Sequence, residues 1–321
     1  RTMSDETNVA IACQGGGSHT AFTAGALGEL LPAIDERGDR LVGLSGTSGG
    51  AFAAVAGWYG SLADDTTAPA VLEDLWTELA ASGPLDRASN DALVWTTCLE
   101  NAGIPYPEIS PYQYPFATWG QEQLREALTE VVDFAALPAL ATADAPKLVV
   151  GAVDIEAGTF ETFTGGDVTP TAVLASAAVP QLFPAVEVDG DRYWDGLFSQ
   201  NPPIRDLLRV PPERKPDELW IVRINPQTRS DNPTSMREIV DRRNELAGNL
   251  SLNQELHVVE CINEFVREGY LPEDEFRHTE IRQFGLPDEF TYASKLDRSP
   301  EFVADMIERG REQAETFLDD G

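Results

Sequence analysis

The sequence has few of the residues that form disulfide frameworks, metal sites and basic surfaces. Of its 321 residues, three are cysteine, three are histidine and three are lysine. Cys13, Cys98 and Cys261 are far apart and odd in number, which predicts neither a disulfide framework nor a metal site and favours a reducing compartment. We therefore expect a cytoplasmic protein without a metal ion or a cofactor.

Long apolar runs are also missing. The sequence contains no run of about eighteen apolar residues, the length that a membrane-spanning helix needs. It does not open with a basic segment followed by a short apolar one, which is the pattern of a secretory signal. We therefore expect neither a transmembrane segment nor secretion.

Positive charge is scarce. The chain has 54 acidic and 23 basic residues, which gives a formal net charge of −31. Such a surface is not attracted to nucleic acid or to anionic membranes. A dispersed acidic excess with so few lysines favours a halophilic protein, because salt screens the repulsion between its charges. The alternative is a generally acidic, arginine-preferring proteome.

Two strand, glycine-turn and helix units lie near the start of the sequence. An apolar run at residues 9–13 leads into three glycines at 15–17 and then into a helical pattern. A second apolar run at 41–45 leads into the sequence GTSGG at 46–50 and a helix of small residues. Consecutive units of this kind predict parallel neighbouring strands, with both loops at the carboxyl edge of one sheet. The glycine run and Ser48 are therefore expected to face each other.

The sequence GTSGG fits the pattern G-x-S-x-G of a strand-to-helix elbow. Glycines permit the tight backbone of such a turn, and the turn presents Ser48 at the start of a helix, whose amides favour a developing anion. A plain glycine-rich turn with an N-capping serine is the alternative. A dinucleotide-binding loop is a weaker interpretation, because Thr20 stands where that fingerprint needs glycine.

The remaining chain continues the α/β pattern. The turn at Asp189 and Gly190 predicts a hairpin whose second strand ends at Asp195. Four prolines among the aromatic residues of 103–119 predict an irregular segment, which is either a lid over the site or a packed surface excursion. Further strands are predicted at 147–155, 159–164, 218–225 and 278–284, and further helices at 71–81, 91–101, 121–132, 169–179, 204–208, 235–267 and 301–318.

A catalytic serine needs a positioned base. One hypothesis is a triad of Ser48, Asp195 and either His257 or His278, which satisfies the order of residues in α/β-hydrolases. Neither histidine lies in an obvious strand-to-helix loop. The other hypothesis is a two-member site, in which Asp195 accepts the hydroxyl proton directly.

Three segments together resemble the signatures of the patatin-like phospholipase family. They are QGGG at 14–17, GTSGG at 46–50 and the dipeptide DG at 195–196, in that order. The stretch ASAAVPQLFPAVEVDGDRYWDGLFSQNPP at 175–203 also resembles the family's approach to its Asp-Gly motif. The resemblance extends over residues 9–60 and 147–203.

The resemblance implies a fold and a set of site residues. The fold is three-layer α/β/α with a mainly parallel central sheet. Ser48 would be the nucleophile and Asp195 the general base, and the amides of Gly15, Gly16 and Gly17 would form the oxyanion hole. Many family members have an arginine or lysine followed by glycine after the glycine run. This chain has a histidine and a threonine at 19–20, which either partly replace the cation or simply pack.

The resemblance also implies one patatin-like domain over 1–321, with a variable insertion at about 61–120 and a helical extension at about 235–321. The expected function is serine-dependent hydrolysis of acyl esters in lipid-like substrates, at a lipid or granule surface. One alternative is an intracellular polyhydroxyalkanoate depolymerase, which would suit a halophilic archaeon whose membrane lipids are ether-linked. An alternative of another class is a non-catalytic lipid-binding or scaffold protein with the same fold.

Overall fold

An eight-stranded sheet organises the computed structural model, which describes residues 6–101, 109–113, 115–230, 232–287 and 290–320. The strands are β1 (Asn8–Cys13), β2 (Arg40–Thr47), β3 (Lys147–Asp154), β4 (Thr159–Thr164), β5 (Val186–Val188), β6 (Asp191–Asp195), β7 (Glu218–Arg223) and β8 (Glu280–Gly285). The helices are α1 (Ala21–Arg37), α2 (Gly49–Leu62), α3 (Ala68–Leu79), α4 (Pro84–Asn101), α5 (Pro115–Val131), α6 (Leu137–Leu140), α7 (Pro170–Ser176), α8 (Arg205–Leu208), α9 (Met236–Arg267) and α10 (Pro300–Asp319).

The sheet is parallel through its centre. Its strand order is β5-β6-β3-β2-β1-β7-β8, and β4 pairs with β3 outside this path. The pairs from β3 through β2, β1 and β7 to β8 are parallel, whereas β4 and β6 run antiparallel to β3 and β5 runs antiparallel to β6. The first two strand-turn-helix units are parallel neighbours as predicted, with Cys13 opposite Gly46. Both of their loops therefore lie at the same sheet edge.

One edge of β3 is shared by two strands. Because β4 pairs with β3 residues 149–154 along one edge, β2 and β6 both pair with the other edge. There Gly151 pairs with Thr47 at the end of β2, and the next residue, Ala152, pairs with Asp195 at the end of β6. Strand β6 therefore meets β2 end to end, and Asp195 lies beside the turn that follows β2.

Helices cover both faces of the sheet. Side chains alternate along β1 and β7, so that Ile11 and Trp220 pack under α1, α2, α3 and α10. Their neighbours Ala12 and Ile221 pack under α8 and α9 on the opposite face. Strands buried on both faces are near-continuous apolar runs, as β1 and β3 are. The fold is the expected three-layer α/β/α arrangement with a mainly parallel sheet.

Most predicted elements are present with small shifts of their ends, but two helices begin earlier than predicted. The helix predicted at 91–101 begins at Pro84, and the helix predicted from 121 begins at Pro115. Proline breaks a helix interior but suits its first turn, which is the position of both residues. Within the predicted irregular segment 103–119, residues up to 108 and residue 114 lie outside the described part of the chain.

The three cysteines are free thiols. Cys13 ends β1 inside the core, and burial raises the pKa of its thiol, so the side chain stays protonated. Among the helices of the described ranges, none is both long enough and apolar enough to cross a bilayer.

Helices α1 and α10 pack closely through glycine, and this packing is testable. A Cβ on Gly25 would overlap the carbonyl oxygen of Ile307 on α10, whereas a Cβ on Gly28, one turn along α1, would meet open space. We expect Gly25→Ala to lower the free energy of unfolding by about 1–3 kcal/mol through overpacking. Gly28→Ala is the matched control and should raise it by up to about 1 kcal/mol, because alanine favours helix. Chemical denaturation measures both, and equal effects would contradict this packing.

Candidate active site

Ser48 lies in a strained turn between β2 and α2. Its backbone has φ 57° and ψ −132°, a conformation that is costly for a residue with a side chain. Glycine is needed beside Ser48 because the backbone segments of the turn lie close together. A Cβ on Gly46 would overlap the carbonyl oxygen of Gly50. The strand, tight turn and helix that the G-x-S-x-G pattern predicts are therefore present.

Hydrogen bonds to distant segments hold this turn. The amide of Ser48 donates to Oγ of Ser176 (2.9 Å), and Oγ of Ser176 donates to the carbonyl of Gly151 on β3 (2.6 Å). The hydroxyl of Thr47 donates to the carbonyl of Gln200 (2.6 Å). A strained backbone persists only where its surroundings hold it, and these bonds tie the turn to β3 and to the segment after Asp195.

Asp195 is completely buried at the end of β6. Its Oδ1 accepts a hydrogen bond from the amide of Leu197 (2.8 Å). The following glycine lets this strand end approach β2 and β3. A Cβ on Gly196 would lie 2.5 Å from the carbonyl oxygen of Gly151 and 2.9 Å from Cγ2 of Thr47. Glycine after the aspartate is thus a packing requirement of the Asp-Gly motif in this chain.

The environment of Asp195 raises the affinity of its carboxylate for a proton. Burial raises the pKa of Asp195 to about 7, against smaller lowering effects of hydrogen bonds from the Leu197 amide and the Ser48 hydroxyl. Oδ2 of Asp195 has no hydrogen-bond partner of normal length and angle among the described residues. The contact between the Ser48 hydroxyl and the carboxylate therefore falls short of full hydrogen-bond geometry. Ser48 itself is 8% exposed. A hydroxyl and a carboxylate of this pKa form a pair suited to proton transfer.

The glycine loop lies directly against the elbow, as expected. A Cβ on Gly15 would lie 2.7 Å from Cβ of Ser48. The amide of Gly15, however, donates to Oδ1 of Asn201 (2.7 Å), and its carbonyl accepts from Nδ2 of Asn225 (2.8 Å). The amides of Gly16 and Gly17 have no acceptor within the described residues. These two remain available for an oxyanion, whereas Gly15 anchors the loop.

The distant partners that hold the glycine loop were missed by sequence reasoning. Oε1 of Gln14 accepts the amides of Ile224 (2.9 Å) and Asn225 (2.8 Å), and its Nε2 donates to Oδ1 of Asn249 on α9 (2.9 Å). The partners of Gln14 and Gly15 are 186 to 235 residues away in sequence, so no local pattern marks them. The one available signal was the position of Asn201 inside the 175–203 stretch that resembles the family.

His19 packs in the core and supplies no cation. Its ring lies 5.2 Å from that of Phe290 and 5.9 Å from that of Phe302, and its Nε2 bonds to Oγ of Ser294 at 2.8 Å. Burial, with a smaller contribution from the positive charge of Lys295, lowers the pKa of His19 to about 3. The imidazole is therefore neutral at physiological pH.

The other two histidines lie away from the elbow. His278 precedes Thr279, whose hydroxyl donates to the carbonyl of Pro216 at the amino edge of the sheet, opposite the edge that carries Ser48. His257 is 74% exposed on α9, where it pairs with Glu260 at 3.6 Å. The structure brings together Ser48, Asp195 and the glycine loop, and neither histidine joins them.

A serine elbow beside a buried carboxylate in a three-layer α/β/α fold is an arrangement of serine-type hydrolases. Residues 11–208, more than half of the chain, match the patatin-like phospholipase family, and the chain belongs to that family. The match includes the glycine loop, the elbow and Asp195, and it confirms the resemblance inferred from the three motifs. The family is one of lipid acyl hydrolases.

A comparison with solved structures finds matches to two bacterial proteins. VipD from Legionella pneumophila is 15% identical with a TM-score of 0.44, and the match covers 99% of this chain and 67% of VipD. ExoU, a type III effector protein, is 14% identical with a TM-score of 0.36 and coverages of 97% and 53%. ExoU in its complex with SpcU from Pseudomonas aeruginosa is 15% identical with a TM-score of 0.39 and coverages of 98% and 51%, so the chain spans about half of the ExoU length. No curated protein matches the sequence significantly.

The burial of Asp195 predicts a measurable cost in stability. A carboxyl whose pKa is raised by folding binds its proton more tightly in the native state. Its stabilising contribution to folding is therefore fully present below the unfolded pKa of about 4 and is lost as the pH rises toward 7. We expect Asp195→Asn to raise the free energy of unfolding at pH 8 by about 1–3 kcal/mol, because it removes a buried charge. Chemical denaturation at pH 5 and pH 8 measures this, and the gain should be smaller at pH 5.

Asp191→Asn is the matched control, since Asp191 is exposed on the same strand. It should change stability little at either pH. A gain for Asp191→Asn equal to that for Asp195→Asn would assign the effect to net charge and not to burial.

Proposed function

We propose that the chain hydrolyses carboxylic acyl esters of lipid-like substrates through a Ser48–Asp195 dyad. The observation that carries this proposal is the fully buried carboxylate of Asp195 beside the hydroxyl of a strained elbow, with its pKa raised to about 7. Membership of the patatin-like phospholipase family supports a lipid substrate. The positions of His257 and His278, one exposed and one at the opposite sheet edge, argue against a triad.

In the acylation step, Asp195 accepts the proton of the Ser48 hydroxyl as Oγ attacks the ester carbonyl. The carbonyl oxygen gains negative charge in the tetrahedral intermediate, and the amides of Gly16 and Gly17 donate to it. One such donor typically contributes about 3 kcal/mol to lowering the barrier. The dipole of α2, which begins at Gly49, favours the same charge.

The intermediate then collapses. The bond to the alkoxy oxygen breaks, Asp195 returns the proton to the departing alcohol, and an acyl-serine remains. Asp195 next takes a proton from water, whose oxygen attacks the acyl carbon. In the second tetrahedral intermediate the bond from the acyl carbon to Oγ of Ser48 breaks, Asp195 returns its proton to Oγ, and the carboxylic acid leaves.

Exposed apolar side chains on the segment after Asp195 and on α9 support a lipid-like substrate. Phe198, three residues after Asp195, is 37% exposed, and Leu250 on α9 is 55% exposed. These residues flank the contact in which Oγ of Ser251 donates to the carbonyl of Ser199. Amphipathic and apolar surroundings of this kind suit an acyl chain. A lid formed by 103–119 stays a prediction.

Residues beyond the family match support one patatin-like domain over 1–321. Strand β7 pairs with β1 inside the same sheet, and α10 packs on α1. The helical insertion at about 61–120 and the extension at about 235–321 are proposed as additions to that domain. The extension contributes β8 as well as helices.

Polyhydroxyalkanoate is the second candidate substrate, favoured by the acidic, lysine-poor composition with its net charge of −31. If this composition reflects life in high salt, the membrane would consist of ether lipids, which contain no acyl esters. A stored polyester would then supply the ester bonds.

We expect Ser48→Ala to abolish ester hydrolysis and Asp195→Asn to reduce it about a thousandfold or more, because each removes one half of the proton transfer. In the unmodified protein, kcat/KM should rise with pH through about 7 as Asp195 loses its proton. Hydrolysis of p-nitrophenyl butyrate measures all three. His257→Ala and His278→Ala are controls that should keep activity, and a dead histidine variant would favour a triad. A folded protein that a fluorophosphonate does not label at Ser48 would favour the non-catalytic alternative.

Salt and substrate can be tested together. We expect the thermal midpoint and the hydrolytic rate to rise between about 0.1 M and 2 M KCl, because screening weakens repulsion within a chain of net charge −31. The substrate panel contains phospholipid, triacylglycerol and amorphous polyhydroxybutyrate. Preference for the polyester would select the second candidate, and stability independent of salt would contradict halophilic adaptation.

A further inference from the structure

A groove between α8 and α9 lies apart from the dyad. Its main cavity, of about 580 Å³, runs from β4 past α8 and α9 to the start of β8. A second cavity of about 440 Å³ adjoins it, and the two share Phe160, Gln200, Arg205 and Arg209. The main cavity is lined by neither Ser48 nor Asp195. We call this main cavity the α8–α9 groove.

The wall of the groove is largely apolar. Ile204, Leu208, Val258 and Ile262 line it, and Val258 is 55% exposed. A volume of this size is typical of sites for small ligands, which combine apolar walls with a few polar groups.

Positive charge is concentrated at this groove although the chain is strongly acidic. Four basic residues line it, and Glu255 is its one acidic residue. Arg277 pairs with Asp217 at 3.0 Å, and Lys215 donates to a backbone carbonyl. The side chains of Arg205 and Arg209 have no acidic partner within the described ranges.

The carboxylate of Glu255 has other partners. Its Oε1 accepts from Nε2 of Gln200 (2.5 Å), and its Oε2 accepts from the amides of Ile204 (2.7 Å) and Arg205 (3.1 Å). Glu255 therefore holds the start of α8 and leaves the guanidinium of Arg205 unpaired. The acidic residues Asp206 and Glu161 line only the smaller cavity.

Two buried polar atoms of the groove lack partners among the described residues. They are Nε of Arg205 and Oε1 of Gln200, whose side chain is 2% exposed. The guanidinium of Arg205 lies 4.8 Å from the ring centre of Phe160, a cation–π contact. An unsatisfied donor is costly, and an anion that accepts from Nε and a terminal nitrogen of arginine offsets that cost.

We propose that the α8–α9 groove binds a single-chain amphiphile with an anionic head. The head, a carboxylate or a phosphate, bonds to Arg205 and Arg209, and the alkyl chain lies along Leu208, Val258 and Ile262. This inference does not depend on the proposed hydrolysis. A fatty acid and a lysophospholipid-type phosphate are the two sources of such a head, and the test distinguishes them.

The test is calorimetric titration of the protein with laurate, dodecyl phosphate and dodecanol, each below its aggregation concentration. We expect at least one of the anions to bind about tenfold or more tightly than dodecanol, because charged hydrogen bonds to arginine are strong. The tighter anion identifies the source of the head. Equal affinity for dodecanol would overturn the proposal, since it would mean apolar binding without anion recognition.

A fatty acid could also bind at the dyad, so variants are used to distinguish binding in the groove from binding at the dyad. The double variant Arg205→Gln, Arg209→Gln should bind the preferred anion about tenfold or more weakly. Arg243→Gln is the matched control, because Arg243 is exposed on α9 and does not line the groove. Unchanged affinity in the double variant would overturn the proposal.

Three further variants keep the test independent of folding and of catalysis. Arg209 is exposed, so Arg209→Gln alone should fold and should weaken binding about threefold or more. Arg205→Lys keeps the charge but loses the planar fork, and it should also bind more weakly than the unmodified protein. Ser48→Ala should bind the anion unchanged, so that a failed dyad and a failed groove give different results.

Discussion

Strand β3 can pair with two strands along one edge only because β2 ends at Thr47 and leaves the rest of that edge to β6. Gly151 pairs with the last residue of β2, and Ala152 pairs with the last residue of β6. The fixed spacing of residues along a strand therefore brings Asp195 to the turn that carries Ser48. The approach of Asp195 to Ser48 depends on this junction.

The junction costs free energy. Ser48 has a positive φ, and Asp195 loses its hydration inside the protein. Ser176 and Asn201 accept hydrogen bonds from the amides of Ser48 and Gly15, and these bonds, together with those of Gln14, hold the turn and the glycine loop in place. Strain and burial of this kind are typical of functional sites, where stability is lower than it would be with apolar residues.

The lysines of this acidic chain make specific contacts. Each of the three lysines is hydrogen-bonded, and Lys295 contacts both Asp241 and Glu245 on α9 at 2.7 Å. The backbone carbonyl of Lys295 lies against Gly17, so this ion cluster connects α9 to the glycine loop.

The sequence alone determined the local units of this protein and the family to which it belongs. Apolar periodicity and glycine spacing predicted the strands, the elbow and the hairpin that ends at Asp195, because turns and alternation depend on neighbouring residues. The motifs named Ser48, Asp195 and the glycine run as candidates.

Only the tertiary structure decided which titratable side chain lies beside Ser48, which amides of the glycine loop lack an acceptor among the described residues, and how far burial raises the pKa of Asp195. The sequence contains three histidines as well as Asp195. Strand register places Asp195 at the elbow and His278 at the opposite edge of the sheet. The bond from Gly15 to Asn201 joins residues 186 positions apart. Burial and long-range hydrogen bonds arise only when such distant segments pack together, so no local pattern in the sequence reports them.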